Sequence, residues 1–207
     1  MLLLGWHPGG STQEIFSLPE AVKEFRLEGL NASGAVYDLE KLNWYNNYYL
    51  QKLEEKEFTE YAWQFLSQKH KLKNEKKEWV KQISLLFRPQ LNYFEELINL
   101  TNYFFQAPKK KTDHNPQIKN HKDFGFNKDQ EKEVIWLKES SQELNKITKW
   151  EIAEIKLVLE TVSRNSQAPK KEFYSLLRKT LTGREKGPEL PKIILLLGKE
   201  EAKKRID

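Results

Sequence analysis

Residues 177–206 read LRKTLTGREKGPELPKIILLLGKEEAKKRI, and this run decides the fold class. A helical segment ends at Leu181-Thr182-Gly183, where glycine supplies the left-handed backbone that closes a helix. Gly187-Pro188 is expected to open the next helix, with proline in the first turn, where a missing N–H costs little. Between them Arg184-Glu185-Lys186 is short, charged and exposed. Arg178 sits on the last turn before the stop and points at the same bend. A basic side chain beside a Gly-Pro turn suits unstacked RNA bases. By spacing alone, the simpler reading is an ordinary helix–turn–helix.

Working outward, apolar residues keep helical spacing almost everywhere. Ser17-Leu18-Pro19-Glu20 forms a capping box opening a short helix to about Phe25. Asp38 caps a second helix through Trp44, Tyr48 and Leu50. Phe58, Ala62, Phe65 and Leu66 mark a third. Trp79, Ile83 and Leu86 mark a fourth, which Pro89 breaks. Tyr93, Leu97, Leu100 and Phe104 carry a fifth. Residues 106–123 are rich in Lys, Asn and Pro and read as a linker. Beyond it lie helices through Val134–Leu144, Trp150–Val162, Phe173–Leu181, Pro188–Leu197 and Glu200–Arg205. The prediction is an all-α chain of two helical subdomains, 1–105 and 106–207. Trp44, Trp79, Trp136 and Trp150 fall on apolar stripes and are expected in the core.

The 207 residues contain no cysteine, which excludes disulfides and thiolate chemistry within this chain and fits a reducing cytoplasm. Mean hydropathy is −0.77. The C-terminal apolar run, Ile193 to Leu197, is far shorter than the roughly 20 residues of a membrane span. Residues 1–105 carry 12 Lys/Arg against 14 Asp/Glu, whereas 106–207 carry 23 against 16. A basic second half fits a phosphate-binding surface, and scattered solvated lysines fit the same counts. Catalytic constellations are missing. His7, His70, His114 and His121 form no metal-ligand spacing, and no Gly-rich phosphate loop occurs. No cofactor or metal is expected in this chain.

Three blocks resemble bacterial glutamyl-tRNA synthetases. Leu3-Leu4-Gly5-Trp6-His7-Pro8 is similar to the L-L-G-W-x-P that follows the catalytic half in that family. Asp38-Leu39-Glu40-Lys41-Leu42-Asn43-Trp44-Tyr45-Asn46 resembles its F-D-x-x-K-L-x-W-x-N block, with Tyr37 in the phenylalanine position. The C-terminal run resembles L-R-x-x-L-T-G, then G/T-P, then L-L-G-K-E. The resemblance implies the helical anticodon-binding half of the enzyme, cut in the connection to the catalytic half. The class I ATP-binding signatures are absent, so ATP and Mg²⁺ are expected only in the full-length ligase. The implied partners are tRNA(Glu) and tRNA(Gln), in a monomeric cytoplasmic protein. A stand-alone protein-interaction module derived from the synthetase is the alternative.

The resemblance also nominates site residues. Phe87-Arg88-Pro89-Gln90 is similar to M-R-P-R, whose second arginine contacts the third anticodon base in members strict for tRNA(Glu). Glutamate anticodons end in C, and glutamine anticodons end in G. Arginine has only donors. It satisfies the acceptors of cytosine and faces the N–H groups of guanine unpaired, which costs about 1–3 kcal/mol. Glutamine carries a donor and an acceptor and suits either base, so a relaxed enzyme is expected, with a strict one as the alternative. Arg178, Gly187, Pro188 and Leu190 match the rest of the anticodon pocket, with Gly187 replacing a threonine of some relatives, and Leu190 fits a core position equally well. Lys179, Arg184, Lys186 and Lys192 surround it as candidate phosphate contacts, although each also fits a solvated side chain. Lys41 and Asn46 are further candidates to face the tRNA.

Overall fold

The computed structural model describes residues 5–9, 12–30, 38–108 and 128–207. Ten α-helices form among them: α1 (Leu18–Glu24), α2 (Leu39–Lys52), α3 (Glu55–His70), α4 (Lys77–Phe87), α5 (Glu96–Phe105), α6 (Lys128–Lys146), α7 (Ile152–Asn165), α8 (Lys170–Thr182), α9 (Leu190–Leu197) and α10 (Lys199–Ile206). An isolated bridge between Trp6 and Leu30 is the sole strand-like pairing among the described residues. The all-α expectation holds. Most of the 106–123 stretch, with His114 and His121, lies outside the described residues, as do Leu3, Leu4 and Tyr37.

The chain separates into two compact units, residues 1–46 and 47–207, with α2 running across the division. The first is built around Trp6. Its indole donates to the Arg26 carbonyl at 3.0 Å and meets the rings of Phe16 and Phe25. Gly29 is required there, because a Cβ would stand 2.5 Å from the His7 carbonyl oxygen. Ser17 and Glu20 cap α1 reciprocally, as the capping box predicts. The Asp38 carboxylate accepts from Lys41 N–H at 3.0 Å and opens α2.

The second unit holds two hydrophobic clusters. One gathers α3, α4, α5 and the end of α2 around Phe58, Ile83, Phe87 and Leu97. The other gathers α6 to α10 around Ile155, Phe173, Leu177 and Ile194. The expected boundary after residue 105 falls inside this unit, between the two clusters. They meet at α9, whose Ile193 belongs to the first and Ile194 to the second. Apart from Lys192 this helix is apolar, because it packs into both clusters. Trp79 and Trp150, from α4 and the turn before α7, donate to the carbonyls of Leu196 and Leu195 at its C-terminal end.

Three expectations are corrected here. Trp44 is not core; it is 50% exposed on α2. Tyr93 lies before α5 rather than in it, because the Glu96 carboxylate takes the Asn92 N–H at 2.6 Å and starts the helix later. The penultimate helix begins at Leu190, with Pro191 rather than Pro188 in its first turn. Glu189 is extended there (φ −55°, ψ 126°), and the carbonyl of Pro188 is committed to Arg178.

Candidate nucleic-acid interface

The C-terminal turn is built by α8. Gly183 ends that helix at φ +70°, as its sequence position predicts, and its N–H bonds the Lys179 carbonyl at 2.8 Å. A Cβ at Gly183 would also stand 3.0 Å from Pro108 Cβ. The Thr182 hydroxyl donates to the Arg178 carbonyl and accepts from Arg184 N–H, turning the chain outward. Buried Arg205, from α10, donates to the Leu181 carbonyl at 2.8 Å and pairs with Glu201 at 2.7 Å. The end of α8 is thus closed by a glycine, a hydroxyl and a guanidinium, which fixes where the exposed 184–189 turn begins.

Arg178 is half-buried and donates from Nη1 to the Pro188 carbonyl at 2.7 Å. Burial pulls its guanidinium below the ordinary arginine value, and neighbouring Tyr103 opposes that shift. A Cβ on Gly187 would stand 3.3 Å from the same Nη1, so the glycine lets the turn close on the arginine. Arg178, Gly187 and Pro188 are therefore brought together as expected. Leu190 is not available with them. It is 1% exposed, packed among the apolar side chains of α7, α8 and α10. Of its two readings, contact with a splayed base or a place in the core, it takes the second: the side chain points inward because it opens the apolar face of α9.

The cations around the turn divide into three kinds. Lys179 pairs with Glu185 at 2.9 Å, and Lys192 with Glu189 at 3.2 Å, both exposed and hence weak. Arg184 turns back onto α5, where its guanidinium bonds the Asn99 carbonyl and lies 5.8 Å from the Tyr103 ring centroid. Lys186 is exposed and makes no ion pair among the described residues. Tyr103 is buried against Arg184, Arg178 and Arg205. Burial pushes its hydroxyl up to about 12, and the three guanidinium groups act in the other direction. Lys41 is paired with Glu14 at 2.7 Å.

Gln90 belongs to a separate construction. Arg88–Gln90 is a single 3₁₀ turn closing α4, with Pro89 inside it. Gln90 is exposed, and its amide makes no hydrogen bond among the described residues. No bond or ion pair joins it to the Arg178 turn among those residues. What surrounds it is fixed. Arg88 donates from Nη2 to the carbonyls of Leu50 and Gln51 at 3.0 and 2.9 Å, and also bonds that of Leu53. These are carbonyls left over at the end of α2, and a guanidinium caps them well. The same guanidinium lies 4.8 Å from the Phe58 ring centroid. Gln51 donates back to the Arg88 carbonyl at 2.6 Å. Asn47 donates to the carbonyls of Leu91 and Pro89 at 2.7 and 3.3 Å. The pairings of Arg88, Gln51 and Asn47 span about forty residues of sequence, and no local pattern signals them.

A family model described as an anticodon binding domain matches residues 57–207. The chain belongs to this family. It is 32% identical to the glutamate–tRNA ligase of Halalkalibacterium halodurans over 97% of its own length and 40% of that relative. It is 31% identical to the glutamate–tRNA ligase of Bacillus subtilis over 99% of its length and 41% of that relative. The chain thus spans about 40% of the curated relatives it matches. The solved glutamate–tRNA synthetase of Elizabethkingia anophelis has the same fold, with a TM-score of 0.74 at 24% identity over 99% of this chain and 38% of that one. Among the described residues no helix is long and apolar enough to cross a membrane.

Proposed function

We propose that this chain recognises the anticodon arm of tRNA(Glu) as part of a glutamate–tRNA ligase, and that it accepts tRNA(Gln) as well. The observation that carries the reading is Gln90: exposed, without a side-chain hydrogen bond among the described residues and mounted on a fixed turn, at the place where the M-R-P-R motif that this stretch resembles has its second arginine. A side-chain amide offers one donor face and one acceptor face, and rotation presents either to a base edge. Cytosine and guanine are then both satisfied, and the penalty of an unmet donor disappears.

Arg178 supports the second turn, with Gly187 and Pro188 lying against the unstacked bases. Lys186 is the cation in place for the backbone, and Lys179 and Lys192 reach phosphate by exchanging their glutamate partners. Phosphate contacts position the strand and base edges specify it. ATP and Mg²⁺ belong to the whole ligase. The setting proposed is a monomeric, cytoplasmic ligase whose catalytic half activates glutamate.

The test is a titration at fixed low salt with tRNA(Glu), tRNA(Gln) and an unrelated tRNA, repeated with the last anticodon base exchanged. Comparable binding of the first two, above the third and indifferent to C or G, supports the proposal. A clear preference for C leaves anticodon recognition standing and removes the relaxed reading. Equal binding of all three, without dependence on the anticodon, removes both and returns the chain to a protein-interaction scaffold.

A further inference from the structure

We infer that Asn47, Gln51 and Arg88 act as positioning residues that set base selectivity at residue 90. The inference rests on the proposed reading of Gln90 and deepens it. A recognising side chain discriminates only if its base is held to about 0.5 Å and 20° of the productive geometry, because hydrogen bonds weaken steeply with angle. Residue 90 is the last of a three-residue turn, which by itself is soft. Here it is not left to itself. The Asn47 amide nitrogen bonds the carbonyls on both sides of it, of Pro89 and Leu91. Gln51 holds the Arg88 carbonyl that starts the turn, and that carbonyl also accepts the Leu91 N–H at 3.2 Å. Leu91 itself is fully buried. The Arg88 head reaches the other way, onto three carbonyls at the end of α2 and the face of Phe58.

The arrangement is reciprocal. Side chains of α2 grip the backbone of the turn, and a side chain of the turn grips the backbone of α2. Proline stiffens the middle of the turn by fixing φ. Gln90 is the one residue of the turn whose side chain takes no part in this, and it faces solvent. A turn gripped on both sides of a single free side chain is built to present that side chain. Stability alone would not require two amides on the carbonyls of a turn already closed by buried Leu91.

The wild-type amide accepts both bases, so loosening it changes no ratio, and the test is made in the Gln90→Arg background of this chain. The reading is the ratio of Kd values for synthetic anticodon stem–loops ending in G and in C. Gln90→Arg alone is expected to favour C by about 10–100-fold, the range of an unmet donor. Adding Asn47→Leu, which keeps the bulk and removes the donor, should bring the preference below about 3-fold. A merely structural role would weaken both stem–loops by the same factor and leave the ratio alone. Gln51→Leu, at an exposed position, removes a different bond and should give an intermediate fall; it decides the matter if Asn47→Leu does not fold. Full preference retained in folded Asn47→Leu and Gln51→Leu variants overturns the inference while Gln90 keeps its role. No preference with Gln90→Arg alone overturns the role of Gln90, and the positioning role with it.

Discussion

Arg178 braces the C-terminal turn, and Arg178→Met measures how much. The substitution keeps the aliphatic stem and removes the head that reaches the Pro188 carbonyl at 2.7 Å. That distance is typical of a charge-assisted bond. Hydrogen bonds to charged groups contribute about 1.5–3 kcal/mol. Both partners are half-buried, so water recovers part of the loss and the lower end of the range applies. For a chain of this length, 1 kcal/mol shifts Tm by about 2–4 °C, and the variant should melt about 3–6 °C lower. Arg178→Lys should recover less than half of this, because an ammonium lacks the planar reach of a guanidinium. Melting followed by circular dichroism gives the shift, and amide exchange over residues 186–190 shows where it originates. An unchanged Tm, within about 1 °C, with unaltered exchange in the turn would refute the bracing role and leave Arg178 as a contact to the nucleic acid alone.

Leu190→Ala should cost about 2–5 kcal/mol in urea unfolding, as expected for a buried leucine, without altering the discrimination between C and G. His70 stacks on Phe105 at 3.8 Å, and burial, aided by Lys69, holds its imidazole below the ordinary 6.5. The unfolded chain takes that proton first, so stability is full above pH 6.5 and declines as pH falls through it. His70→Leu should flatten the decline in Tm measured from pH 7 downward. Tyr103 keeps its proton to about 12 when folded and loses it near 10 when unfolded. Its contribution is therefore full below pH 10 and lost as pH climbs towards 12; tyrosinate absorbance of the parent against Tyr103→Phe should isolate this late titration. Glu189→Gln releases Lys192 from its pair, and the log–log salt slope of tRNA binding should steepen by about 0.7–0.9 if that lysine then finds a phosphate.

What the sequence made legible was local. The Ser17–Glu20 box, the Asp38 cap, the Gly183 stop and the break at Pro89 all involve partners within a few residues, and each stands where its pattern places it. Most of the misses have a partner farther away in the chain. Nothing near Pro188 announces that Arg178 will take its carbonyl, and so delay α9 by a few residues. Trp44 falls on an apolar stripe of α2 and is nonetheless half exposed. Leu190 was grouped with the turn by resemblance, whereas the inward face of α9 decides its place. Arg184 looked like a phosphate contact until Asn99, 85 residues before it, took its guanidinium. At Gln90 the residue itself could be singled out by resemblance, but the grip on its turn comes from α2 and was invisible.

The helix shared by both clusters has a further consequence. Ile193 sits in one apolar interior and Ile194 in the other, and indoles from both sides hold the carbonyls at the end of α9. Eight residues near the carboxyl terminus therefore act as a keystone for helices that precede them by a hundred positions. A ribosome has already made α3, α4 and α5 well before the segment that seals them emerges. Until α9 arrives, the Ile193 site among those helices is open to water, so their order should wait until residues 190–197 have been made, and a chain stopped short of residue 190 should be a target for proteases along its early half as well as at its cut end.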